Sequence, residues 1–393
     1  MKILSIETSC DETAVSVVEA NGGLGSPTFT VLGDALFSQI DIHKEYGGVY
    51  PMLAKREHAK RLPLLLKKVL TDSNIPTFHR MLEYQSKEKW EEVEEIVKRE
   101  EGLYEGLRKE LGNVGKPEID VISVTSGPGL EPALWVGISC AQALGKLWDI
   151  PVLPANHMEG HIVSVLVENK DKRMVEFPAL ALLISGGHTE LVEIKKWREY
   201  EVIGQTRDDA VGEAFDKTAR MLGLSYPGGP EISKLAEKAR KENIPHLAKF
   251  TRPMIHSHDF DFSFSGLKTS VLYYTRDHGP LSQTDKADVA REFEDTVVDV
   301  LLSKTIEALE QTGAKTLIVA GGVIANKRLR ESFTVLEERY PGLKVKIPTQ
   351  ALSTDNALMI ACTTYINVTL YPGLLSRKTK IVADGNLKLG TTI

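Results

Sequence analysis

The chain has 393 residues, more than one hydrophobic core usually serves, so two lobes are expected. Its 42% hydrophobic and 26% charged residues fit a soluble globular protein, and a formal net charge of -6 excludes a global basic field, so a polynucleotide partner would have to meet a local patch or be delivered by another protein. The first strand begins almost at residue 1, no uncharged apolar run is long enough to span a bilayer, and Cys10, Cys140 and Cys362 form no Cys-x-x-Cys pattern, which fits reduced thiols in the cytoplasm.

In chain order, residues 2–8 and 13–18 read as two strands joined by a polar turn, a hairpin that carries Asp11 and Glu12 at its tip. A third strand is expected near 28–36. Residues 51–70 have helical periodicity, with Leu53, Leu62, Leu65, Leu66 and Val69 inward and Lys55, Arg56, Lys60, Arg61, Lys67 and Lys68 on what reads as a solvated face. Residues 76–115 turn rich in Glu, Lys and Arg. Within them Trp90, Val93 and Val97, then Tyr104, Leu107 and Leu111, have amphipathic spacing, while Gly102 and Gly106 interrupt a single helix, so a charged helical insertion leaning on the first lobe is expected. A buried-type strand over 119–124 runs through Gly127-Pro128-Gly129 into a helix over 132–147. A short strand at 151–154 leads to a helix from His157 to about 168, and 169–176 reads as a linker.

The pattern then repeats. Residues 179–184 and 190–194 form a second hairpin around Ser185-Gly186-Gly187-His188-Thr189, and a second buried-type strand, 316–320, ends in Gly321-Gly322 before a helix near Ala325. Between these lie helical segments 208–222, 228–243 and 284–311 and a strand-like 260–264. A strand at 343–347 and a helix at 355–365 close the chain. Two related α/β lobes follow, 1–170 with the insertion at 76–115, and 171–393.

Two features carry chemistry. His157 and His161 are four residues apart at a helix start, so both imidazoles fall on one face and can share a metal ion. In the His-Glu-x-x-His motif of zinc peptidases the glutamate directly follows the first histidine; here it is Glu159, about 200° around the helix from His157, which disfavours a peptidase. Asp355 fits an N-cap beside Ser353 and Thr354 and is also the best placed acid to supply an oxygen ligand. The second feature is the set of glycine turns, Gly127-Pro128-Gly129, Gly186-Gly187 and Gly321-Gly322, whose backbone N–H groups suit phosphate oxygens although neither a P-loop nor a dinucleotide fingerprint is present. Asp208 and Asp209 suit helix capping, whereas Asp216 lies further into the same helix and can accept hydrogen bonds from ribose hydroxyls.

Several stretches together identify a resemblance: Ile6-Glu7-Thr8-Ser9-Cys10-Asp11-Glu12-Thr13, His157-Met158-Glu159-Gly160-His161, Ser185-Gly186-Gly187-His188-Thr189, Gly212-Glu213-Ala214-Phe215-Asp216-Lys217, Tyr226-Pro227-Gly228-Gly229-Pro230, Phe262-Ser263-Phe264-Ser265-Gly266-Leu267-Lys268-Thr269, Gly321-Gly322-Val323-Ile324-Ala325-Asn326 and Thr354-Asp355-Asn356. Over nearly the full chain this resembles the TsaD family, the tRNA N6-adenosine threonylcarbamoyltransferases. The resemblance implies an α/β fold of the actin-like, sugar-kinase and heat-shock ATPase class, with two ribonuclease-H-like lobes facing a central cleft. It implies transfer of threonylcarbamoyl from threonylcarbamoyl-adenylate to N6 of the adenosine 3′-adjacent to the anticodon, in tRNAs reading codons that start with A. By the same resemblance His157, His161 and Asp355 hold one divalent metal, iron with zinc as the alternative, and draw on both lobes. Leu183, Ile184, Ser185, Gly186, Gly187, Asp216, Gly229 and Asn326 hold the adenylate, and Asp11 and Glu12 serve transfer. The implied partners are tRNA, the adenylate donor from a separate synthase and, if the source is bacterial, a paralogous subunit and a small ATPase. Two departures stand out: the insertion at 76–115 is longer than usual, and Ser233 occupies a position where some relatives carry a substrate-contacting acid. The rival readings are a metallopeptidase and a non-catalytic nucleotide-binding scaffold.

Overall fold

The computed structural model describes residues 1–78, 87–167, 175–377 and 380–391. Parts of two expected features therefore lie outside the described residues: positions 79–86 of the insertion and 169–174 of the linker. The chain forms two compact units, Met1–Met174 with Asp355–Ile393, and Val175–Thr354.

In the first unit β1 (Lys2–Glu7), β2 (Glu12–Asn21) and β3 (Thr28–Ser38) run antiparallel, a small separate ribbon pairs β4 (Thr77–Phe78) with β5 (Lys116–Pro117), and β6 (Val121–Gly127) and β7 (Val152–Asn156) extend the main sheet in parallel, giving the order β3-β2-β1-β6-β7. Strand alternation explains both faces of this sheet. Leu4, Ile6, Val15, Val17, Ile122 and Val124 belong to one apolar core with Leu62, Leu66 and Val69 of the helix Pro51–Asp72 and with Leu134, Ile138 and Leu144 of the helix Glu131–Trp148. The intervening Ser5 points the other way, and its hydroxyl donates to the Ala357 carbonyl at 2.7 Å. That face is covered by the helix Ala357–Leu370, which packs on β1, β2 and β7. Glu7 has the parity of Ser5 and so emerges on the same face.

Residues 355–393, grouped by sequence with the second lobe, thus pack with the first unit. The physical reason is the helix Ala357–Leu370: almost every side chain in it is buried, and it fills the sheet face that Ser5 and Ser123 leave open.

The insertion forms helices Lys87–Val97 and Leu103–Leu111, with Trp90, Val93, Val97, Leu103, Leu107 and Leu111 buried in the first unit's core. Gly102 caps the start of the second helix in a left-handed conformation (φ 79°), whereas Gly106 lies within that helix, where a Cβ would press to 2.7 Å from Pro63. The basic face of Pro51–Asp72 is partly engaged: Lys55 pairs at 2.9 Å with the buried Glu100.

The second unit repeats the topology. Strands β8 (Ala179–Ile184), β9 (Thr189–Lys196) and β10 (Glu199–Gln205) are antiparallel, and β11 (Thr316–Ala320) and β12 (Lys344–Lys346) add in parallel, in the order β10-β9-β8-β11-β12. Counted within each unit, both sheets have the order third, second, first, fourth, fifth. This repeated order agrees with the two ribonuclease-H-like lobes that the resemblance implies. The helices Val211–Met221, Gly228–Lys241 and Gln283–Thr312 share one core with β8 and β11. Strand β10 escaped the sequence reading because it is an edge strand with only Gly204 buried. The strand-like 260–264 contributes only a single bridge, Phe262 to Thr206, before an unanticipated helix, Ser265–His278, whose first N–H groups are held by Asp208. No helix among the described residues is long and apolar enough to cross a membrane.

Candidate active site

In the first unit, Asn156 ends β7 and caps the helix His157–Val163, its side-chain oxygen accepting from the N–H groups of Met158 (2.9 Å) and Glu159 (3.1 Å). The helix then sets His157 and His161 on one face with ring centroids 4.7 Å apart. Asn356, and not Asp355, caps Ala357–Leu370 by accepting from Met359 N–H at 3.0 Å. Asp355 is thereby left for the histidines: its Oδ1 lies 3.4 Å from His157 Nε2 and 3.2 Å from His161 Nε2. One ligand atom from each of the three residues falls within 4.8 Å of the others, a spread that a single ion can bridge.

Two observations fit this triad to a cation. His161 is fully buried, yet among the described residues neither ring nitrogen meets hydrogen-bond geometry, Nε2 facing Asp355 Oδ1 at 3.2 Å without aligning to it, an arrangement that is costly unless something binds there. His157 has its Nδ1 engaged by Glu7 (3.1 Å) and Ser9 Oγ (3.2 Å), which turns Nε2 toward Asp355, as outer partners of metal-bound imidazoles do. Glu7 is in turn held by the Thr125 hydroxyl at 2.6 Å. Burial alone would raise the Asp355 carboxyl, but His157 and His161 overcome it and hold the group far below the usual carboxylate range. Because residues 355–393 belong to the first unit, all three ligands come from that unit and not from both lobes as the resemblance suggested.

Glu159 is buried and accepts from Gly390 N–H at 3.2 Å, so it is committed elsewhere, as its angular position predicted.

The turn between β1 and β2 carries the two expected acids. His58 fixes this turn from behind, with Nε2 donating to the Cys10 carbonyl (2.9 Å) and Nδ1 accepting from Thr13 Oγ1 (2.8 Å); burial lowers its value to about 4, so the ring is neutral at pH 7. Burial pushes the Asp11 carboxyl up, and burial with the neighbouring charges of Asp11 and Asp355 pushes Glu12 well up.

In the second unit a cavity of about 410 Å³ is lined in part by Gly186, Asp216, Gly229, Ser233, Gly322 and Asn326. Four of the eight residues expected to hold an adenylate are therefore in its wall. Leu183 and Ile184 are wholly buried within β8, Ile184 as part of the hydrophobic core, and Ser185 and Gly187 lie outside the lining. The backbone closes tightly here: Gly321 has φ 98°, and a Cβ on it would stand 2.4 Å from the Ile184 carbonyl oxygen. Asp216 accepts from Gly228 N–H at 2.7 Å and so fixes the start of Gly228–Lys241 beside the cavity. Asn326 caps Lys327–Thr334 through Leu329 N–H at 3.0 Å.

The sequence profile of the family described as TsaD, tRNA N6-adenosine threonylcarbamoyltransferase, matches residues 30–78 and 104–362. Proteins of that name from Burkholderia mallei and Burkholderia thailandensis are 42% identical over 383 residues, covering 96% of this chain and 95% of each relative. The chain belongs to the TsaD family. It is a transferase of the tRNA N6-adenosine threonylcarbamoyl class. Among solved structures, HypF from T. kodakarensis shares the fold at a TM-score of 0.50 and 15% identity, over 70% of this chain and 44% of that longer one.

The TsaD profile matches up to residue 78 and resumes at 104, so it passes over the first helix of the insertion, Lys87–Val97. The departure at Ser233 also gains a physical setting, because its hydroxyl donates at 2.9 Å to a buried acid, Glu294. Glu294, Glu7, Ser9 and His58 all escaped the sequence reading. Glu7 and Ser9 lie within the Ile6–Thr13 motif, and the parity of Glu7 with Ser5 on β1 was the available signal; Glu294 gave none, since it reads as one more acid on a long helix.

Proposed function

We propose that this TsaD-family chain transfers the threonylcarbamoyl group from threonylcarbamoyl-adenylate to N6 of the adenosine 3′-adjacent to the anticodon, in cytoplasmic tRNAs that read codons starting with A. The observation that supports it best is that one family match contains both a His₂Asp triad suited to a metal and a cavity walled by residues expected to hold an adenylate.

In the reaction the N6 lone pair attacks the carbamoyl carbon, the bond from that carbon to the phosphate oxygen breaks, AMP departs and N6 loses a proton. That amine is a poor nucleophile while its lone pair is delocalised into the ring, so a positioned base matters. Asp11, whose carboxyl burial raises less far than that of Glu12, is the acceptor for the proton. Asp216 and Asn326 orient the adenylate, Gly186 and Gly229 admit its close approach, and Leu183, Ile184, Ser185 and Gly187 hold the strand end and turn that carry Gly186. His157, His161 and Asp355 hold the metal, and Glu7 and Ser9 orient His157. When bound, the metal supplies Lewis-acid stabilisation of developing oxygen charge. The donor set suits iron and zinc alike, and the family resemblance favours iron. A separate synthase to make the donor, a paralogous subunit and a small ATPase complete the system if the source is bacterial.

AMP release from threonylcarbamoyl-adenylate tests this reading. With the purified chain, metal and the partner proteins, release is expected to depend on unmodified tRNA. Release indifferent to tRNA, or hydrolysis of peptides abolished by Glu159→Gln, would overturn it.

A further inference from the structure

We infer that Glu294, which lies outside the cavity wall, makes the Asn326–Ser233 edge of the adenylate cavity a surface of hydrogen-bond acceptors, so that this edge selects a ligand presenting donors. The inference rests on the reading of that cavity as the adenylate site.

Glu294 projects from the middle of Gln283–Thr312 and is 1% exposed. One carboxylate oxygen accepts from Ser233 Oγ at 2.9 Å and from Asn326 Nδ2 at 2.8 Å; the other accepts from Arg240 at 2.5 Å. Asn326 Nδ2 also donates to Ser233 Oγ at 2.6 Å, so both amide protons are given to the protein. At its other end the Asn326 Oδ1 accepts from Leu329 N–H. The amide orientation is therefore set twice over, because a carboxylate only accepts and a backbone N–H only donates. Ser233 is set as well: its single proton goes to Glu294 and one lone pair to Asn326. What remains toward the cavity is one lone pair on Asn326 Oδ1 and one on Ser233 Oγ, both acceptors.

An adenylate offers donors of two kinds, the 6-amino group of the base and the ribose hydroxyls. A 6-oxo base would present a lone pair to these lone pairs, and a deoxyribose would leave them unsatisfied in a partly buried wall. Glu294 thus acts as a positioning residue: it touches Asn326 and Ser233 and polarises their contacts with the ligand.

Calorimetric titration of the full chain with AMP, IMP, 2′-deoxy-AMP and 3′-deoxy-AMP tests this. Wild type should prefer AMP over at least one analogue by about tenfold, and the analogue that suffers identifies the donor as base or sugar. Glu294→Gln is isosteric and leaves Arg240 its second partner, Asp295 at 2.6 Å. An amide nitrogen in place of Oε1 would donate to Ser233 but face the Asn326 amide nitrogen, so neither Ser233 nor Asn326 would keep its fixed orientation, and the preference should shrink to about threefold or less. Ser233→Ala removes one acceptor without disturbing Arg240 and should lower the preference in part. A purely structural role for Glu294 would weaken all four ligands alike and leave the ratios unchanged, which would overturn the inference. Equal binding of all four by wild type would also overturn it. Failure of wild type to bind AMP at all would instead remove the adenylate reading, and the inference with it.

Discussion

Substitution of His157, His161 or Asp355 by alanine is expected to remove bound metal and transfer activity together, with metal affinity falling at least about 100-fold for each. Each residue contributes one ligand atom to a cluster spanning 4.8 Å, so loss of any one leaves a two-point site. Glu7→Gln should behave as an outer partner and lower affinity by about 10–100-fold, since it weakens the hold on His157 Nδ1 without removing a ligand. Glu159→Gln should leave metal content unchanged, its carboxylate being occupied with Gly390. Elemental analysis after dialysis against a weak chelator reads all five variants. Full occupancy in the Asp355 variant would exclude it as a ligand.

The second large effect is expected at the turn between β1 and β2. Asp11→Asn should slow transfer by about 10²–10⁴-fold, the range for loss of a general base, with AMP affinity unchanged because the variant leaves the adenylate cavity intact. Glu12→Gln should cost far less. Glutamine keeps the length of the side chain and can still accept from the Ser38 hydroxyl, which lies 3.3 Å from Glu12 Oε1. Single-turnover transfer rates separate the two variants, and equal losses in both would contradict the assignment of the base to Asp11.

Much of this architecture was legible because period-2 and period-3.6 patterns report burial directly. The hairpins at either start, the glycine junction after β11 and the helical pair of the insertion all followed from local patterns. The histidine pair was legible for the same reason, since its partners are four residues apart on one helix. Asp355 was visible as an acid near a turn, but its unit was not: which sheet a terminal helix covers depends on the complementary face it finds, here the one that carries Ser5 and Ser123. Edge strand β10 was lost because an exposed strand carries little apolar alternation. Glu294 was hidden for a further reason, that its three partners come from elsewhere in the chain, Ser233 and Arg240 from the helix Gly228–Lys241 and Asn326 from the cap of Lys327–Thr334, and are brought to it only by tertiary packing.

The most direct measurement is nucleoside analysis of tRNA after incubation with this chain, metal, threonylcarbamoyl-adenylate and the partner proteins. The expected result is N6-threonylcarbamoyladenosine at the position 3′ of the anticodon, absent when Asp355→Ala replaces the wild-type chain. Unmodified adenosine at that position despite intact donor and bound metal would contradict the assignment of transferase activity to this chain.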